Sequence, residues 1–179
     1  MRVRGRFAAA ATAAVFASLA GCGDDPAVVP ADQRPAPGFE LTSPAFAEGA
    51  AIPPEHSCEG PSPDLEWAGV PEGTVELALT LLDPDAGNFV HWVAWGIDPA
   101  SSALAAGAAA PSESENDAGR PGYFGPCPPE GERHRYVFTL YALGSSLGLG
   151  EGASPSEAVA AVRDADVTAT AELTGTFAA

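Results

Sequence analysis

The chain has 179 residues, enough for one domain with a sizeable core. It contains no Lys, and eight Arg stand against 24 acidic residues, for a formal charge of −16. That balance excludes nucleic-acid binding, which needs a basic surface, and disfavours electrostatic docking on anionic lipid.

In chain order, Arg2, Arg4 and Arg6 precede the apolar run FAAAATAAVFASLA. A basic start, a short apolar stretch and small residues before a cut site form an export signal, and the run is short for a spanning helix. It ends in Leu19-Ala20-Gly21-Cys22, which resembles the lipobox of bacterial lipoproteins, whose cysteine becomes the lipidated N-terminus. The expectation is a signal peptide over 1–21, lipidation at Cys22, and an exported protein held to the cell envelope through its N-terminal lipid only. An ordinary signal with an incidental Cys, or an uncleaved anchor, is the alternative. GDDPAVVPADQRPAP then has the composition of a solvated tether, so 22–37 is expected to be flexible and 38–179 to form one domain.

Beyond Gly38 the chain reads as strands punctuated by Pro and Gly. GFELTSPAF alternates Phe39 and Leu41 with Glu40 and Thr42. TVELALTLLDPDAG sets Val75, Leu77, Leu79 and Leu81 on one face and stops at Asp83-Pro84. NFVHWVAWGIDP sets Phe89, His91, Val93, Trp95 and Ile97 together. HRYVFTLYAL sets His134, Tyr136, Phe138 and Leu140 opposite Arg135, Val137, Thr139 and Tyr141. DVTATAELTGTF places Thr168, Thr170 and Glu172 outward. One helix is signalled by Ser154-Pro155-Ser156-Glu157, an N-cap, a proline at the first position and a capping-box Glu. The small, acidic stretch 101–119 predicts a long mobile loop. Together these predict an all-β domain with minor helices, a sandwich of two antiparallel sheets.

With Cys22 lipidated, Cys58 in HSCEGPSP and Cys127 in FGPCPP remain. In an oxidising compartment they form one disulfide between two Pro/Gly loops, or stay two small buried thiols.

Polar residues on apolar faces carry the functional reading. Side chains two apart share a strand face, so Asp83, His91, His134 and Tyr136 each sit on an apolar face near an element end. Burying such groups without partners costs about 1–3 kcal/mol each, so they should partner one another or a ligand. Each alone reads as a separately satisfied core residue; together they suggest a shared site. Two imidazoles, a phenol and the amides of a Gly-containing loop suit an oxyanion such as phosphate, with Asp83 orienting an imidazole and raising its affinity for a proton. A zinc site would use the same His and Asp residues but lacks close ligand spacing. No GxSxG elbow supplies a nucleophile, and Cys127 between prolines reads as structural.

CEGPSPDLEWAGVPEGT (58–74), DPDAG (83–87), FVHWVAWGI (89–97) and GYFGPCPPEGERHRYVFTLYAL (122–143) resemble, in order, the motifs of the phosphatidylethanolamine-binding proteins, in particular the bacterial YbhB/YbcL, or Raf-kinase-inhibitor-like, branch. The resemblance covers about 38–179. It implies a sandwich of one large and one small sheet with a small anion-binding cavity at one end. Carried over motif by motif, the cavity would comprise Asp83, His91, the loop residues Gly125, Pro126 and Cys127, and His134 and Tyr136. Gly87 stands where the family usually has Pro, and 101–119 is richer in Ala and acid than the family's loop.

The resemblance implies a binding protein rather than an enzyme, with no cofactor and a small phosphorylated or carboxylate ligand. Its alternative is an interaction or inhibitory protein, for instance of a serine protease, that uses the cavity to hold a partner's segment.

Overall fold

A computed structural model describes residues 36–150 and 152–179. The expected signal peptide, Cys22 and most of the tether lie outside the described residues. Strands β1 (Glu40–Thr42), β2 (Leu65–Ala68) and β5 (Ala103–Leu104) form a small sheet in the order β1-β2-β5. Strands β3 (Glu76–Asp83), β4 (Phe89–Ile97), β6 (Ser112–Glu113), β7 (Arg133–Leu143) and β8 (Val167–Ala178) form a large one in the order β6-β4-β3-β7-β8. Every pairing between these strands is antiparallel. Helix α1 (Pro155–Asp164) starts at Ser154, whose hydroxyl accepts from the Glu157 amide while the Glu157 carboxylate accepts from the Ser154 amide. Among the described residues no helix is long and apolar enough to cross a membrane.

The main core lies between the sheets. Phe39, Leu41, Leu65 and Trp67 meet Leu77, Leu79, Leu81, Phe138 and Leu140 there. Full burial of such side chains contributes about 1.5–3 kcal/mol each. A second core on the opposite face of the large sheet joins Ala78, Val93, Trp95 and Tyr141 to Ala158 and Val162 of α1. β3 is therefore buried on both faces, which explains its nearly continuous apolar run. Val75, expected on the face of Leu77, precedes the strand and is 55% exposed. Thr170, expected outward, is buried because it pairs with Tyr141 on the face that α1 covers.

β4 breaks its expected alternation twice. Leu81 pairs with Trp92 and Leu82 with Val90, so His91 is an extra residue opposite β3. A second irregularity lies between the Leu79–Ala94 and Leu77–Ile97 pairs, where Gly96 has φ 73°. These bulges send Val93 and Trp95 to the α1 side and Trp92, Ala94 and Ile97 to the main core. A bulge re-aims the side chains around it, and here it frees His91 from the face of Val93.

Residues 101–119, expected as a mobile loop, supply β5 to the small sheet and β6 to the large one. Asn116 is buried and donates to the Gly122 carbonyl, while the Asp117 carboxylate accepts from the Val90 amide. The outer edge of β8 is covered at Thr174 and Thr176 by residues 49–52. Gly49 and Ile52 donate to the carbonyls of Thr174 and Thr176, and Thr176 donates back to Ala50.

Candidate functional site

The end of β3, the start of β4, the start of β7 and the 124–129 loop enclose a cavity of about 160 Å³. Asp83, His91, His134 and Tyr136 give it polar groups, and Phe89, Phe124, Pro128 and Pro129 give it apolar walls. All four residues selected by strand parity thus meet at one hollow. For His91 the bulge, not plain alternation, brings it there.

Asp83 is 2% exposed and caps the 3₁₀ turn Pro84–Ala86. Its Oδ1 accepts from the amides of Asp85 (2.9 Å) and Ala86 (3.0 Å). Its Oδ2 lies 2.7 Å from Nδ1 of His134. Gly87 ends the turn at φ 68°, a left-handed conformation closed to the proline usual there in the resembling family. Arg135 points away from the cavity and grips Asp85, donating from its amide, Nε and one terminal nitrogen at 2.7–3.0 Å. That grip holds the Asp85 carboxyl at about 2. The alternation of β7 therefore divides His134-Arg135-Tyr136 into two cavity residues and one outer clamp.

The two histidines differ in charge. His134 presents Nε2 to Glu132 Oε2 at 3.0 Å and Nδ1 to Asp83. Hydrogen bonds to Glu132 first, and to Asp83 second, raise its pKa. A ring that donates to two carboxylates at once carries both protons. His91 is 4% exposed and donates from Nδ1 to the Phe124 carbonyl at 2.8 Å. Burial lowers its pKa despite that bond and the nearby Asp83 charge and Gly125 backbone, which favours the neutral ring with Nε2 as the acceptor nitrogen. Its ring stacks on Phe124 and meets Tyr136 edge-on, with centroids at 5.7 and 5.2 Å. His91 Nδ1 is thus spent on the Phe124 carbonyl rather than offered to the cavity.

Tyr136 is fully buried, and its hydroxyl is the buried side-chain polar atom without a hydrogen-bond partner among the described residues. Burial first, and the Asp83 charge second, raise its pKa and keep the phenol protonated. The Asp83 carboxylate and the Cys127 amide are near enough to bear on its ionisation, but neither reaches hydrogen-bond geometry.

Gly125, Pro126 and Cys127 divide in the same way. Gly125 and Pro126 do not line the cavity; they are buried behind it, against the 56–60 loop. The Gly125 amide donates to the Cys58 carbonyl and the Cys58 amide to the Pro126 carbonyl. A Cβ on Gly125 would lie 2.3 Å from the His56 carbonyl oxygen, so only glycine fits. Cys127 does line the cavity and is joined to Cys58 by a disulfide. The expected row of loop donors shrinks to the Cys127 amide, because Phe124 and Gly125 spend theirs inside the fold and Pro has none.

Sequence reasoning passed over Glu132, although it shares the parity of His134 and Tyr136, and the prolines that wall the cavity. Among the described residues no three His, Cys, Asp or Glu side chains converge as metal ligands would. A larger, open groove of about 450 Å³ lies between residues 59–62, 107–109 and 121–123. Its carboxylates are engaged: Glu59 pairs with Arg120, and Glu113 accepts from Trp92 Nε1 and the Ala110 amide.

The family model described as phosphatidylethanolamine-binding protein matches residues 42–178. A Mycobacterium tuberculosis protein named "Putative lipoprotein LppC" is 42% identical, with 94% of each chain covered. A UPF0098 protein of Chlamydia trachomatis is 39% identical over 78% of this chain and 98% of its own. The crystal structure of E. coli YbcL, described as a member of the mammalian PEBP family, superposes with a TM-score of 0.72 at 29% identity. It covers 79% of this chain and 99% of that one.

Proposed function

The chain belongs to the phosphatidylethanolamine-binding protein family, and from that premise we propose that its cavity binds a small oxyanion such as a phosphate head group. The observation that carries this reading is the buried Tyr136 hydroxyl without a partner. Leaving it so costs about 1–3 kcal/mol, which a ligand oxygen would recover. The Cys127 amide and the outward nitrogen of His134 are the further donors. His91 Nε2 accepts a proton-bearing ligand oxygen, which favours a singly protonated phosphate or a phosphomonoester.

The size supports a small free or monoesterified phosphate rather than a whole lipid. At about 160 Å³ the cavity is well below the roughly 300–1,000 Å³ of pockets for drug-sized ligands. The same size disfavours an inhibitory protein that seats several residues of a partner here. With Cys127 in a disulfide and no Ser or Thr among the residues lining the cavity, no free thiol or aliphatic hydroxyl faces a ligand there, which supports a binding protein over an enzyme. Calorimetric titration with inorganic phosphate tests the site. His134→Ala is expected to weaken binding at least tenfold, about 1.4 kcal/mol, with the fold retained by circular dichroism. Unchanged affinity overturns the assignment.

We also propose that the domain over 38–179 is exported and tethered by lipid on Cys22. The motif LAGC at 19–22 and the lipoprotein name of the mycobacterial relative support this. Cys22→Ser should move the protein from the membrane to the soluble fraction; retention on the membrane argues for an uncleaved anchor.

A further inference from the structure

We propose that Glu132 is a tethered competitor that occupies the anion position on His134 in the empty cavity and must swing away before a ligand binds. The inference rests on the oxyanion reading above and names the residue that tunes its strength.

His134 has two nitrogens and two different partners. Asp83, on the inner nitrogen, is 2% exposed and fixed by two backbone amides. Glu132, on the outer nitrogen, has a side chain that is 58% exposed. Its backbone is held: the amide donates to the Pro129 carbonyl, and its carbonyl accepts from the Ala179 amide. The main chain therefore positions a carboxylate at the rim, and a side-chain rotation alone removes it. A phosphate oxygen that takes Nε2 must displace this group, because one N–H cannot serve two anions at full strength. Exposed ion pairs are weak, so the competitor attenuates binding without closing the cavity. Removing it should tighten phosphate binding about two- to fivefold.

The test is calorimetric titration of the whole protein with inorganic phosphate at about pH 5.5, below the ordinary histidine pKa of about 6.5, so that His134 keeps its charge. Glu132→Gln should bind phosphate about two- to fivefold tighter than the unaltered chain. Glu130→Gln, which removes an equal charge from an exposed neighbour in the same loop, should change affinity less. Unchanged or weaker binding in Glu132→Gln, where the unaltered protein binds, overturns the competitor alone. Equal tightening by both variants also overturns it, since net charge would then suffice. Binding absent from the unaltered protein and from Glu132→Gln overturns the oxyanion reading and the competitor together.

Discussion

His91 and His134 line one small cavity, yet burial keeps the first neutral while two carboxylates hold the second charged. The His91 wall is apolar: Phe124 stacks on the ring, and the loop that carries it is fastened to Cys58 by a disulfide and two backbone hydrogen bonds. The His134 wall is ionic, with Asp83 inside, Glu132 at the rim and the Asp85–Arg135 clamp behind. One residue type thus performs two tasks because its surroundings differ. A buried ring loses its charged form to desolvation, whereas a ring between carboxylates gains it.

The largest break in this contrast should come from the disulfide. Replacing Cys58 and Cys127 together with Ala reopens a closed loop of 69-residue separation and should cost about 2–4 kcal/mol in urea denaturation. If the walls are independent, the His91 titration moves toward that of free histidine while that of His134 stays in place, as followed by NMR.

A smaller effect, opposite in sign, is expected at the junction of the walls. Tyr136→Phe removes the unpartnered hydroxyl and should stabilise the empty protein by about 1 kcal/mol while weakening phosphate binding. A loss of stability would mean that the hydroxyl is satisfied in solution, and the case for a ligand there would weaken.

The smallest effect is on stability against pH, where the histidines pull in opposite directions. For His134, raised in the fold, the contribution is full below about pH 6.5 and fades as pH rises through its folded value. For His91, lowered in the fold, the contribution is full above about 6.5 and fades as pH falls toward its folded value. In denaturation midpoints between about pH 8 and 5 the differences from the parent should therefore slope oppositely: His134→Gln becomes relatively less stable as pH falls and His91→Gln relatively more stable. Slopes of the same sign would show that one charge state has been assigned wrongly.

The parts legible in the sequence were those where strand alternation runs unbroken. β7 pairs in step with both neighbours from Val137 to Ala142, so His134 and Tyr136 were placed on the main-core side by counting alone. The same count grouped His91 with Val93, and the bulge separates them; a bulge depends on pairing with β3, which one strand's sequence does not display. Residues 101–119 looked unstructured because their order comes from side chains such as Asn116 and Asp117 bonding to distant backbone. The role of Gly125 was hidden for a similar reason: its constraint is the His56 carbonyl, far away in the chain.

The stretch from Gly49 to Ile52 has a bearing on how such molecules coexist. By occupying backbone groups of Thr174 and Thr176, it blocks strand addition by a neighbouring copy along that part of the last strand. An uncovered strand end of this kind is a template on which another chain can pair and stacking can begin.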